Sequence, residues 1–123
     1  MTLKDDLYRI IEKREEPGAL YYTLLLNAES VIYKAHFPGM PVTPGVCLVQ
    51  IGRELLEEYT GLRLEVCGMK NVKFVSVVEP SNGAQIVYEI RKIEPTEEGL
   101  RAQMQVLGDG SVKAKISISC VKR

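Results

Sequence analysis

One histidine occurs in the 123-residue chain, His36, and it opens the run His36-Phe37-Pro38-Gly39-Met40-Pro41-Val42-Thr43-Pro44-Gly45-Val46. An imidazole takes and returns a proton near neutral pH better than any other side chain. A solitary histidine is more often a surface residue or a satisfied core residue, but the residues after this one point the other way. Pro38, Pro41 and Pro44 each fix the local backbone, so the chain beyond His36 holds one course. That course leads into a helix whose first amides, near Gly45 and Val46, have no intrahelical acceptor. Such an amino end favours negative charge and polarises a carbonyl laid against it. A base beside a carbonyl-polarising site is equipped to remove the proton next to that carbonyl.

The elements that must hold these groups can be read from spacing. Residues 2–15 place Leu3, Leu7, Ile10 and Ile11 at helical intervals, with Thr2 and Asp5 as a capping box, and predict an amphipathic helix ended by Pro17-Gly18. Ala19 to Asn27 is rich in β-formers and predicts a strand, and Val31 to Ala35 a second, short extended piece. The proline-dense stretch after it is a shaped loop. Val46 to Tyr59 predicts a helix that is apolar nearly all round in its first half, as a buried helix is. Its second half turns amphipathic and is expected to emerge into solvent before Gly61 stops it. Leu64 to Val78 reads as one long bent strand or two short ones, followed by strands over Gln85 to Ile93 and Leu100 to Val106. Gly108-Asp109-Gly110 is a hairpin turn. In the last strand, Val112 to Val121, the residues Val112, Ala114, Ile116, Ile118 and Cys120 alternate with Lys113, Lys115, Ser117 and Ser119, as in an antiparallel sheet buried on one face. The reading is an α+β fold of one domain, 1–123, with about five or six strands around one buried helix.

The run from His36 to Val46 resembles the His-Phe-Pro-Gly-x-Pro-x-x-Pro-Gly-Val signature of the 3-hydroxyacyl-acyl-carrier-protein dehydratases. Asn27 to Ala35 resembles the segment that leads into that histidine, Lys70-Asn71-Val72-Lys73-Phe74 through Pro80 the strand after the central helix, and Asp109 to Ala114 the final hairpin. This resemblance implies a hotdog fold, an antiparallel sheet wrapped around a central helix. It implies a lyase that reversibly removes water from a 3-hydroxyacyl thioester to give the trans-2-enoyl thioester in fatty-acid or related acyl-chain synthesis. It implies His36 as the base, a site for the thioester carbonyl at Gly45 and Val46, and a positioning loop of Phe37, Pro38, Gly39 and Pro44. A homodimer or higher homo-oligomer follows, with acyl chains entering a tunnel at the dimer interface. The acyl group would arrive on an acyl carrier protein or on coenzyme A, and no cofactor or metal is required.

The chain departs from the family at position 50, where the family's helix carboxylate is replaced by Gln50. Glutamine can hydrogen-bond a 3-hydroxyl but cannot protonate it. One turn on, where the family commonly has Gln, this chain has Glu54, so the two side-chain types are exchanged along one helical face. Glu54 therefore reads either as a displaced carboxylate for the reaction or as a polar residue where the helix leaves the core. Val75-Ser76-Val77 stands where basic residues often follow the family's Phe, leaving Lys70, Lys73, Arg91 and Lys92 as the candidates for a basic rim toward an acidic carrier protein. Loss of the carboxylate keeps a second reading open, a weakly active or non-catalytic thioester-binding subunit that partners an active relative. A thioesterase is a third reading, for which no carboxylate or activated water stands out beside the thioester.

Composition narrows the alternatives. Sixteen Lys and Arg balance sixteen Asp and Glu, which removes the electrostatic case for nucleic acid. The apolar stretches are short and broken by charge, which argues against a membrane span, and Met1 to Asp6 is too polar for a signal peptide. Cys47, Cys67 and Cys120 are widely spaced and odd in number, as expected of free thiols in a reducing cytoplasm. Cys47, on the buried helix, reads as packing, because apolar surroundings suppress the thiolate.

Overall fold

The computed structural model describes residues 2–81 and 83–123. Among these residues six strands, β1 (Tyr8–Glu16), β2 (Ala19–Leu26), β3 (Leu64–Phe74), β4 (Gln85–Pro95), β5 (Gly99–Gly108) and β6 (Ser111–Lys122), accompany two helices, α1 (Val31–Ala35) and α2 (Gly45–Thr60). The strands form one sheet in the order β1-β2-β4-β5-β6-β3, and every pairing is antiparallel. This is the hotdog arrangement, with β3 at one edge and β1 at the other.

Strand residues that alternate inward meet α2 and bury it. Leu20, Tyr22, Leu24, Ile86, Tyr88, Ile90, Met104, Val106, Ile116 and Ile118 face Leu48, Ile51, Leu55 and Leu56. The period of two in β6 is realised as drawn from the sequence, with Ala114, Ile116, Ile118 and Cys120 buried. Helix and sheet approach closely at Gly52, where an added Cβ would run into the Met104 sulfur. Gly61 ends α2 in the left-handed conformation, φ 75°, and its N–H donates to Glu57 C=O at 2.8 Å. The turn Asp109-Gly110 takes positive φ at both residues, as a tight hairpin requires.

Two expectations from periodicity are overturned. Residues 2–15 are not a helix. Leu3 to Leu7 makes a single turn, with Leu7 N–H donating to Leu3 C=O at 2.8 Å, and the chain then extends as β1, paired with β2 from Tyr8↔Leu26 to Glu16↔Ala19. Beyond Tyr8 this strand is largely exposed and charged, so its stability comes from the ladder to β2 rather than from a buried face. A charged edge strand also discourages further sheet pairing. Val31–Ala35 is likewise helical, not extended. Ser30, itself buried, caps it by accepting from Ile32 N–H at 3.3 Å, which offsets the poor helix propensity of the β-branched residues. The segment read as extending to Val78 ends as a strand at Phe74 and carries two bulges, so the bent-strand reading is the one realised.

Candidate active site

His36 sits at the carboxyl end of α1, where its backbone N–H donates to Ile32 C=O at 3.0 Å. The following peptide bond, His36–Phe37, is cis, and the two rings meet edge to face with centroids 5.4 Å apart. The loop is pinned by more than its prolines. Phe37 N–H donates to Met40 C=O and Met40 N–H back to Phe37 C=O, at 3.2 and 2.9 Å, closing a turn in which Gly39 takes φ 77°. Val42 N–H returns to His36 C=O at 2.8 Å, fastening the far side of the loop to the histidine itself. Thr43 is tied twice, by its N–H to Val78 C=O and by its hydroxyl to Tyr33 Oη, both at 2.8 Å. Main-chain bonds thus fix the backbone at His36 while its imidazole stays exposed.

The loop delivers the chain to α2 at Pro44, which serves as N-cap without a side-chain hydrogen bond. The first bonds into the helix run from Cys47 N–H and Leu48 N–H to Pro44 C=O, so the Gly45 and Val46 amides lie ahead of the ladder. Gly45 is glycine for a visible reason. The Phe74 ring occupies the place of its side chain, and a Cβ there would stand 2.6 Å from Phe74 Cζ.

Along α2, Val46, Val49, Gln50, Arg53 and Glu57 form one stripe facing β3. They line a groove of about 780 Å³ with Leu64, Val66, Met69, Val72 and Phe74 opposite. Gln50 belongs to this groove; His36 does not line it, and lies on the loop beyond the helix amino end. Glu54 points elsewhere. It is only 7% exposed, and its carboxylate accepts from Leu3 N–H at 2.8 Å and from Lys4 N–H, Tyr8 O–H and Gln50 Nε2 at 2.9 Å each. Four donors fill the acceptor capacity of a carboxylate. Glu54 therefore clamps the amino-terminal segment to α2 and steadies the Gln50 amide. No pattern in the sequence announces this clamp, because its partners Leu3 and Tyr8 are separated from Glu54 by most of β1, β2 and the loop.

Burial keeps the neighbouring titratable groups protonated. The Cys47 thiol is pushed up by desolvation, which agrees with a packing role. The Tyr8 hydroxyl is raised far above its ordinary value, first by burial and then by the Glu54 carboxylate it donates to, so it remains a donor. Among the described residues no cluster of three or more His, Cys, Asp or Glu has the geometry to hold a metal ion, and no helix is long and apolar enough to cross a membrane. Two of the four basic candidates share one depression, Lys70 is exposed on β3, and Lys92 stands apart. Lys73 and Arg91 fall on the outer face of the sheet, with Arg91 ion-paired to Glu89, while Lys92 lies beside Glu15 and Glu16.

Similarity to known proteins agrees with this architecture. The dehydratase FabZ of Clostridium acetobutylicum, a 3-hydroxyacyl-[acyl-carrier-protein] dehydratase, is 28% identical over 116 residues, covering 86% of this chain and 81% of that protein. Its counterpart in Fusobacterium nucleatum is 24% identical over 118 residues, covering 92% and 82%. Among solved structures, the dehydratase heterocomplex ApeI:P from Xenorhabdus doucetiae superposes with a TM-score of 0.74 at 16% identity, covering 93% of this chain and 97% of the matched one. A hypothetical thioesterase from Streptococcus pneumoniae shares the fold at a TM-score of 0.64 and 10% identity, covering 97% and 93%. The family model of the ApeI dehydratases matches residues 12–110, from β1 through the β5–β6 turn, and the chain belongs to that ApeI-like family of hotdog dehydratases.

Proposed function

We propose that this chain dehydrates a 3-hydroxyacyl thioester to the trans-2-enoyl thioester, with His36 as the base. The observation that carries the reading is the loop itself, a backbone-anchored histidine followed directly by the uncapped amino end of a buried helix. The thioester carbonyl would lie against the Gly45 and Val46 amides, which stabilise the enolate-like charge that develops as the α-proton leaves. The proton passes to the His36 imidazole, the α,β double bond forms, and the C3–O bond breaks. Gln50 orients the 3-hydroxyl but has no proton to give it. The imidazolium at His36 is then the group that returns the proton to the departing hydroxide, releasing water. Phe37, Pro38, Gly39 and Pro44 hold the geometry and take no part in the chemistry. An acyl carrier protein or coenzyme A presents the substrate, and acyl-chain synthesis is the setting.

The exposed imidazole, the exposed Phe37 and Met40 on its loop, and the exposed Val46, Met69 and Phe74 at the groove support assembly of the site between two protomers, with edge strand β3 at the interface. A homodimer is the simpler form. One observation favours a second form, in which a relative supplies the missing acid: position 50 carries an amide, and the carboxylate at Glu54 is fully engaged. The ApeI:P heterocomplex is a precedent for such an assembly.

Turnover of a 3-hydroxyacyl-carrier protein, followed by absorbance of the enoyl thioester, tests the reading. The purified chain is expected to turn over, and His36→Ala to lose at least about 10²-fold in kcat. Activity that survives His36→Ala intact removes the histidine from the mechanism. Activity seen only after mixing with a relative that carries a carboxylate on its central helix selects the second form.

A further inference from the structure

The groove between α2 and β3 is bounded at both ends by different chemistry. At the helix amino end the Phe74 ring rests on Gly45. From there Val46 and Val49 on the helix, with Val66, Met69 and Val72 on the strand, give it apolar walls. At the other end helix and strand are stitched together by charge. Glu57 accepts from Leu64 N–H at 2.8 Å through one carboxylate oxygen and from Arg53 Nη1 at 3.0 Å through the other. Arg53 Nη1 also donates to Leu64 C=O at 3.3 Å, and Arg123 Nη2 lies 3.8 Å from Glu57 Oε2. Arg53 and Glu57 are mostly buried, with side chains 17% and 22% exposed. A hydrocarbon chain passing this point would have to separate a partly buried ion pair and two helix-to-strand hydrogen bonds without replacing them.

We infer that the Arg53–Glu57–Arg123 network is a stop at the end of the acyl groove, restricting the chain to short and medium acyl groups. The inference rests on the reading above only in that the thioester is taken to lie at the helix amino end. Eight residues at 1.5 Å each separate Gly45 from Arg53, so the groove from the helix amino end to the stop is about 12 Å long, interrupted on its helix side by the Gln50 amide. It accommodates an octanoyl chain and falls short of a dodecanoyl one. The stop is built from residues that touch none of the reacting atoms; it sets specificity, and Arg53 and Glu57 both span the gap from helix to strand, each bonded to Leu64.

Calorimetric titration of the intact protein with saturated butyryl-, octanoyl- and dodecanoyl-pantetheine separates this inference from the question of turnover, since none of these thioesters carries a 3-hydroxyl. Affinity is expected to rise from butyryl to octanoyl and then to fall about tenfold or more at dodecanoyl. Dodecanoyl binding as tight as octanoyl, or no binding of any of the three because a second copy fills the groove, overturns the stop. Arg53→Ala is expected to recover dodecanoyl binding by about tenfold with the octanoyl affinity little changed; an unaltered chain-length profile in a folded variant also overturns it. Should Arg53→Ala not fold, the native profile decides alone. A clear chain-length limit in a protein that dehydrates no 3-hydroxyoctanoyl thioester would leave the stop standing and refute the proposed reaction instead.

Discussion

Gln50 and Glu54 share one hydrogen bond, 2.9 Å from Nε2 to Oε2, and that bond decides what a substitution at position 50 does. In Gln50→Glu the donor becomes a carboxylate within contact of another carboxylate. Two such groups at this distance cannot both ionise, so one takes up a proton. Leu3 N–H, Lys4 N–H and Tyr8 O–H all still donate to Glu54 and hold its oxygens as acceptors. The proton therefore resides on the introduced carboxyl, on the groove-lining side of the helix, where it can be passed to a departing hydroxyl. Turnover of a 3-hydroxyacyl thioester is expected to rise by about 10²-fold, the scale of a positioned acid. The pH profile of kcat should gain an alkaline limb that reports the new group. A variant with an unchanged rate and no new limb would show that the carboxyl is ionised or turned away from the substrate. Reversing the order of carboxylate and amide along the helix is thus not a neutral exchange, since the position next to the groove is the one that can reach a ligand.

At the scale of elements, the placement of α2 on the sheet depends on Gly52, whose missing side chain lets Met104 and Tyr88 rise against the helix backbone. Gly52→Ala adds a methyl group where the Met104 sulfur already sits, in a region with no exposed surface to yield. The gain in helix propensity, about 1 kcal/mol, is outweighed by overpacking of about 1–3 kcal/mol in a closed core. Urea denaturation is expected to show a net loss of stability; a gain would mean that Met104 moves aside freely. Such contacts explain which elements were legible in sequence. α2 and β6 were, because a run apolar in its first half and amphipathic in its second, stopped by Gly61, and a strict alternation from Val112 to Cys120 are both local patterns. β1 was not. Leu3 and Leu7 do make one helical turn, and Arg9 to Glu16 is full of good helix formers, but its backbone pairs with β2, a partner no local pattern reveals. For the candidate site, the loop from His36 to Val46 was fully visible, since its prolines and glycines are local signals. The Glu54 clamp and the Arg53–Glu57–Leu64 stitch were not, because each joins residues brought together only by the closed fold.

Over the whole molecule, the buried face of the sheet gathers hydroxyl and thiol groups that ionise only at alkaline pH. Burial raises Cys120 from 9.0 to about 11, with Cys67 adding to the shift, and raises Tyr22 from 10.0 to about 12, with Glu58 and Glu15 adding to it. Cys47 and Tyr88 are displaced in the same direction by desolvation. Among the described residues the Tyr22 hydroxyl is also buried with no hydrogen-bond partner, so nothing in the fold compensates its charged form. The sign of the effect on stability follows from proton binding. Below pH 9 these groups are protonated whether the chain is folded or not, and they contribute no pH dependence. Above pH 9 the unfolded chain releases the Cys120 proton while the folded chain holds it, so the unfolded state binds fewer protons and stability falls as pH rises. The loss is complete for Cys120 once pH passes about 11, and amounts to about 2–3 kcal/mol for that group. Urea denaturation of the native protein and of Cys120→Val at intervals from about pH 8 to 11 isolates the thiol, because titration of the lysines and tyrosines is common to both. The difference between the two is expected to be flat below pH 9 and to shrink the advantage of the native protein steadily above it. A constant difference across the whole range would mean that the thiol ionises equally easily folded and unfolded, and that the β6 face under α2 is open to water in solution.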